Sequence, residues 1–152
     1  MNFIKSLFLG ATLATIGLSA LPSNAQVKDA QVNALVSALK QAAPPNRAND
    51  GMYSSWQVLP GIIPSWTKQC LGKEMTPQQF ESDENAARQV VSCIVQRELK
   101  TQYKTTTNEN QAVRNVACWW MTGKPQGCDS GATGTYVGRV VGFYQQQMKP
   151  KS

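Results

Sequence analysis

Apolar positions recur along this chain at helical spacing and almost nowhere at the period of two that a half-buried strand requires. Val32, Leu35, Val36 and Leu39 fall at i, i+3, i+4 and i+7, which predicts an amphipathic helix from Asp29 to about Ala42, stopped by Pro44 and Pro45. A polar loop follows over Asn46 to Ser55, then a short helix from Ile63 or Pro64 to Cys70 that ends at Gly72. Thr76-Pro77-Gln78-Gln79 combines an N-cap, a proline at the first helical position and a capping-box glutamine, one of the clearest helix starts in the chain. Ser82-Asp83-Glu84 opens a longer helix with Ala87, Val90, Val91 and Ile94 on one face, ending near Lys104. Val113, Val116, Ala117 and Trp120 repeat the spacing, as do Val137, Val140, Val141 and Tyr144. With no internal repeat and no inter-domain linker, the expected fold class is all-α, a single compact helical domain.

The N-terminus reads differently. Lys5, the apolar stretch from Leu7 to Leu21 and the small residues Ser23-Asn24-Ala25 predict a secretory signal peptide over residues 1–25, leaving a domain over 26–152. A membrane span needs about 20 apolar residues, and this run is shorter and broken by Gly10, Gly17 and Pro22. A secreted or periplasmic location follows, with no stable membrane span after cleavage.

Removal of the signal leaves 14 Lys plus Arg against 9 Asp plus Glu, a net charge of +5. That balance suits anionic polymers of a cell envelope. Nucleic acid is not expected as a partner, because no basic run is interleaved with aromatics and no nucleic-acid motif is present. Cys70, Cys93, Cys118 and Cys128 are an even set in an oxidising compartment, so two disulfides are expected. Of the three connectivities, the favoured one joins Cys118 to Cys128, closing a short loop, and Cys70 to Cys93, tying neighbouring helices. A zinc site is the competing use of these thiols. It has poor support, since the chain has no histidine and no C-x-x-C pair; no metal or cofactor is expected.

The absence of histidine also removes Ser-His-Asp and Cys-His chemistry, and paired cysteines leave no thiolate nucleophile. Glycoside cleavage needs only carboxylates, one of them protonated to serve the leaving oxygen. Glu74, Glu81, Asp83, Glu84, Glu98, Glu109 and Asp129 read mainly as solvated charges at helix starts and on helix faces.

Four blocks of sequence add a resemblance. Gly51-Met52-Tyr53-Ser54-Ser55-Trp56-Gln57-Val58-Leu59-Pro60 is similar to the glycan-cleft segment of the lysozyme-like superfamily, the lytic transglycosylases and phage tail lysozymes, matching at Gly51, Tyr53, Gln57 and Pro60. Ile63-Pro64-Ser65-Trp66-Thr67 with Leu71-Gly72, and Met75-Thr76-Pro77-Gln78-Gln79-Phe80, resemble the helices that follow it. Ala117 to Pro125 and Thr135-Tyr136-Val137-x-Arg139-Val140 resemble the family's later turn and final helix. The blocks keep their order from about Leu35 to Tyr144.

The resemblance implies a lysozyme-like fold with a cleft for a peptidoglycan strand, aromatic faces against the sugars and amide groups bonded to the N-acetyl substituents. Tyr53, Trp56 and Gln57 occupy the matching positions, and Tyr53 and Gln57 are the expected substrate contacts. Trp119 and Trp120 point about 100° apart on a helix, so Trp120, on the apolar stripe, is expected in the core and Trp119 in the cleft. The family's general-acid glutamate is missing. Aligning Asn46 places Ala42 at its position, and no Asp or Glu occurs from Ala30 to Asn49. Loss of a general acid costs on the order of 10² to 10⁴ in rate. The expectation is a domain that binds peptidoglycan or another envelope glycan without cutting it. An active enzyme using another carboxylate, with Asp50 nearest the motif, and a module that docks an envelope protein are the alternatives.

Overall fold

The computed structural model describes residues 26–151, so the expected signal peptide lies outside the described residues. Among the described residues six α-helices run in the order α1 (Asp29–Ala42), α2 (Ile63–Leu71), α3 (Pro77–Ser82), α4 (Glu84–Gln102), α5 (Glu109–Thr122) and α6 (Gly131–Met148), with a 3₁₀ turn over Pro60–Ile62 before α2. No strand forms among the described residues; a single bridge pairs Tyr53 with Val58. None of these helices is long and apolar enough to cross a membrane.

Local chemistry sets the helix ends. Ala43 is extended, at φ −63° and ψ 148°, because Pro44 disfavours helical backbone in the residue before it, and α1 stops there. Thr76 and Gln79 cap α3 reciprocally: the Gln79 amide donates to Thr76 Oγ1 at 3.2 Å, and the Thr76 amide to Gln79 Oε1 at 2.9 Å. Asp83 accepts from the Ala86 amide at 2.9 Å and so starts α4. The sequence pattern carried α4 to about Lys104, whereas the helix proper ends at Gln102 and the chain turns on through Thr106. Gly72 and Gly123 close α2 and α5 at φ 74° and 77°, the left-handed conformation that glycine adopts without a Cβ clash.

Helix α1 lies at the centre, packed most extensively on α6 and then on α4. Leu35, Val36, Ala38, Leu39 and Ala42 are fully buried there, facing Val90, Val91, Ile94 and Val140 of the same core. Each buried Val, Leu or Ile contributes about 1.5 to 3 kcal/mol. Two disulfides supplement the core: Cys70–Cys93 ties α2 to α4, and Cys118–Cys128 ties α5 to the loop before α6, the pairing favoured from the sequence. Buried Thr67 fixes the α2–α3 loop, accepting from the Met75 amide at 2.9 Å while its hydroxyl donates to the Ile63 carbonyl at 2.8 Å.

Candidate functional site

Helix α1 ends where a cleft begins. Its walls are Ala43 and Pro44, the hairpin residues Met52 and Trp56 to Leu59, Ile62 and Trp66 of the 3₁₀ turn and α2, the end of α5 from Trp119 to Gly123, and Tyr136 of α6. The cleft has a volume of about 700 Å³, within the range of small-ligand sites. Four tryptophans line it, and three of them pack on one another. The Trp66 and Trp119 rings stack at 6.2 Å with 20° between their planes, and Trp120 lies 5.7 Å from Trp66 and 6.3 Å from Trp119. Such offset and edge contacts fix ring orientation as well as burying area.

Trp120 departs from its sequence assignment. Val113, Val116 and Ala117 are fully buried as the stripe predicts, yet Trp120 is only partly buried and shares the cleft with Trp119. It sits on the last turn of α5, beyond the part of the helix whose residues are sealed from solvent. Trp66, quoted within a matching block but assigned no role, completes the aromatic wall.

The expected glycan contacts separate. Gln57 and Trp119 line the cleft together. Tyr53 is half-buried against the core, exchanges two backbone hydrogen bonds with Val58 at 2.9 and 2.8 Å, and stands outside the cleft lining. Trp56 borders the cleft from beneath but is 1% exposed and belongs to the core, its indole N–H donating to the Val36 carbonyl at 2.9 Å. Lys40 and Arg88 sit over its ring at 5.1 and 5.5 Å.

The hairpin that presents Gln57 is tightly wound. Ser54 and Gln57 have φ of 65° and 55°, left-handed values that non-glycine residues adopt only under constraint. Glu81 supplies the constraint from the end of α3: its carboxylate accepts from the Ser54 amide and, at 2.6 Å, from the Asn46 side chain. Asn46 Oδ1 in turn accepts from Gln57 Nε2 at 3.0 Å, and the Ser54 carbonyl accepts from the same nitrogen at 3.3 Å. The amide nitrogen of Gln57 is therefore committed to the protein. Its oxygen has no hydrogen-bond partner among the described residues and is the group free to meet a ligand.

No carboxylate lines the cleft among the described residues. Ala42 is fully buried, and its carbonyl accepts from the Arg139 guanidinium. Asp50 is exposed and clasps its own loop, with Oδ1 accepting from the Met52 amide at 2.9 Å and Oδ2 from the Arg47 amide at 3.2 Å. Among the described residues no three acidic, histidine or cysteine side chains gather as a metal site. A second, smaller cavity of about 410 Å³ lies beside the Cys118–Cys128 bridge, with Arg114, Asp129 and the amides of Gln111, Asn115 and Gln126 in its walls. Apolar side chains and aromatic rings concentrate in the larger cleft, which is the candidate site.

No protein-family model, curated protein or solved structure matches this chain.

Proposed function

We propose that the protein is an exported lysozyme-like domain that binds peptidoglycan glycan strands in the tryptophan-walled cleft and does not cut them. The support is one observation: a cleft of about 700 Å³ walled by Trp66, Trp119 and Trp120, with Gln57 at its side and no carboxylate among the described residues lining it. Aromatic faces and a fixed amide acceptor suit an N-acetylated sugar chain, and among the described residues no carboxyl group lines the cleft to act as general acid. The net positive charge of the described domain would add a salt-sensitive attraction to an anionic wall.

The test is co-sedimentation with purified, protein-free peptidoglycan across a salt series, alongside a turbidity assay on the same material. Binding should persist at high salt, Trp119→Ala should weaken the persistent part, and turbidity should not fall. Release of new reducing ends or anhydro-sugar products at rates near those of an active lytic enzyme would overturn the non-cleaving half of the proposal.

Leu59 and Met121 favour a second reading. They are 56% and 46% exposed at the cleft's edge, where a protein partner's apolar side chain would also be accommodated. Salt-resistant binding that requires envelope proteins and is absent on protein-free peptidoglycan would select this reading.

A further inference from the structure

The α6 wall of the cleft carries a polar group that sugar stacking leaves unused. Tyr136 is only 7% exposed, yet its hydroxyl has no hydrogen-bond partner among the described residues. The oxygen is not sealed away, since among the described residues no side-chain nitrogen or oxygen cut off from solvent lacks a partner. Tyr136 lines the cleft, and its unpartnered hydroxyl keeps contact with solvent. A buried phenol ordinarily finds a partner, and here the space next to it belongs to the occupant.

Arg139 lies one turn further along α6, exposed and just outside the cleft lining. Its guanidinium donates to the Ala42 carbonyl, which anchors it at the C-terminal end of α1 beside Ala43 and Pro44, themselves cleft wall. Among the described residues it forms no ion pair with a carboxylate. One contact to Ala42 leaves most of its five N–H donors unused. The two side chains sense each other: burial raises the Tyr136 pKa, and the charge of Arg139 offsets part of that rise.

We propose that Tyr136 and Arg139 form an anion-recognition point at the α1 end of the cleft that takes a carboxylate carried by the bound glycan. In peptidoglycan that carboxylate has two sources: the lactyl group of N-acetylmuramic acid once its stem peptide is removed, or the stem peptide itself. The proposal rests on the glycan-binding reading of the cleft. A guanidinium and a phenol O–H are both donors to a carboxylate, and a charge-assisted bond is about twice as strong as a neutral one.

The experiment is a tryptophan-fluorescence titration at fixed, moderate ionic strength with three oligosaccharides of equal length: neutral N-acetylglucosamine, the peptide-free alternating N-acetylmuramic acid strand, and the same strand with stem peptides. At least one acidic ligand should bind about tenfold more tightly than the neutral one. Tyr136→Phe, which keeps the ring, and Arg139→Gln, which keeps a donor for Ala42, should each reduce the ratio of acidic to neutral binding severalfold. Which acidic strand is preferred identifies the source of the carboxylate. Equal binding of all three by the unaltered protein, or a preference that Tyr136→Phe does not reduce, overturns the inference and leaves the glycan reading standing. Failure to bind any of the three overturns both.

Discussion

Gln57 allows a separation of stability from recognition. At φ 55° its Cβ crowds the backbone, at a cost of about 1 to 2 kcal/mol that glycine escapes. Gln57→Ala and Gln57→Gly both delete the two bonds from Nε2 to Asn46 and Ser54, and both delete the free amide oxygen. They differ only in strain and in unfolded-chain entropy, where glycine loses about 0.4 to 1 kcal/mol. The net difference is therefore about 0.5 to 1 kcal/mol in favour of Gln57→Gly, or about 2 to 4 °C in melting temperature for a domain of this size. Binding should follow the opposite logic. Both variants should bind peptidoglycan about fivefold more weakly than the unaltered protein, the worth of one hydrogen bond. Calorimetric melting and salt-resistant co-sedimentation of the three proteins are the measurements. A Gln57→Ala protein that melts at or above Gln57→Gly refutes the strain argument. A Gln57→Gly protein that binds as well as the unaltered one refutes the role of the amide.

Trp119→Ala should weaken the salt-resistant part of peptidoglycan binding about five- to thirtyfold while leaving helix content unchanged by circular dichroism, because Trp119 packs against other cleft rings rather than sealing the core. Thr67→Val should lower unfolding free energy by about 1 to 3 kcal/mol in denaturant titration, since it strands the buried Met75 amide; a loss below 0.5 kcal/mol, well under what an unpaired buried donor costs, would mean that water reaches that amide. Hydrogen bonding from the Lys40 ammonium holds the Glu84 carboxyl below the usual carboxylate range. A folded-state pKa lowered in this way adds stability above the unfolded value of about 4.3, and the gain is lost as pH falls through the folded one. Glu84→Gln should thus cost about 0.5 kcal/mol at neutral pH and nothing in strong acid or high salt, because the pair is half-exposed.

What was legible in the sequence was local. Thr76 with Gln79, Asp83 before α4 and Gly72 after α2 each set a helix end through contacts within a few residues, and the even cysteine set pointed to two bridges. The helical periods of α1, α4 and α6 identified the faces that are buried. Periodicity names a side of a helix but not how far along it the covering helices extend, which is why Trp120 lies on the apolar stripe yet in the cleft. The clasp of Glu81 on Ser54 spans 27 positions, and that of Arg139 on Ala42 spans 97; no spacing rule reaches so far. Glu81 accordingly read as one more solvated helix charge. Tyr53 occupies a matching motif position, yet it spends its backbone on the hairpin and leaves the cleft lining to Gln57.

The pairing of the first helix with the last has a consequence for the order of events during synthesis. A ribosome delivers α1 long before α6, and until α6 arrives the apolar face of Val32, Leu35, Val36 and Leu39 lacks its principal cover, while the carbonyl of Ala42 lacks the Arg139 guanidinium. Non-local closure of this kind is the slow part of folding, because the loop entropy is lost before the contact forms. The cleft wall that Tyr136 supplies therefore arrives among the final steps, and a nascent chain short of α6 has neither a finished core nor a finished site.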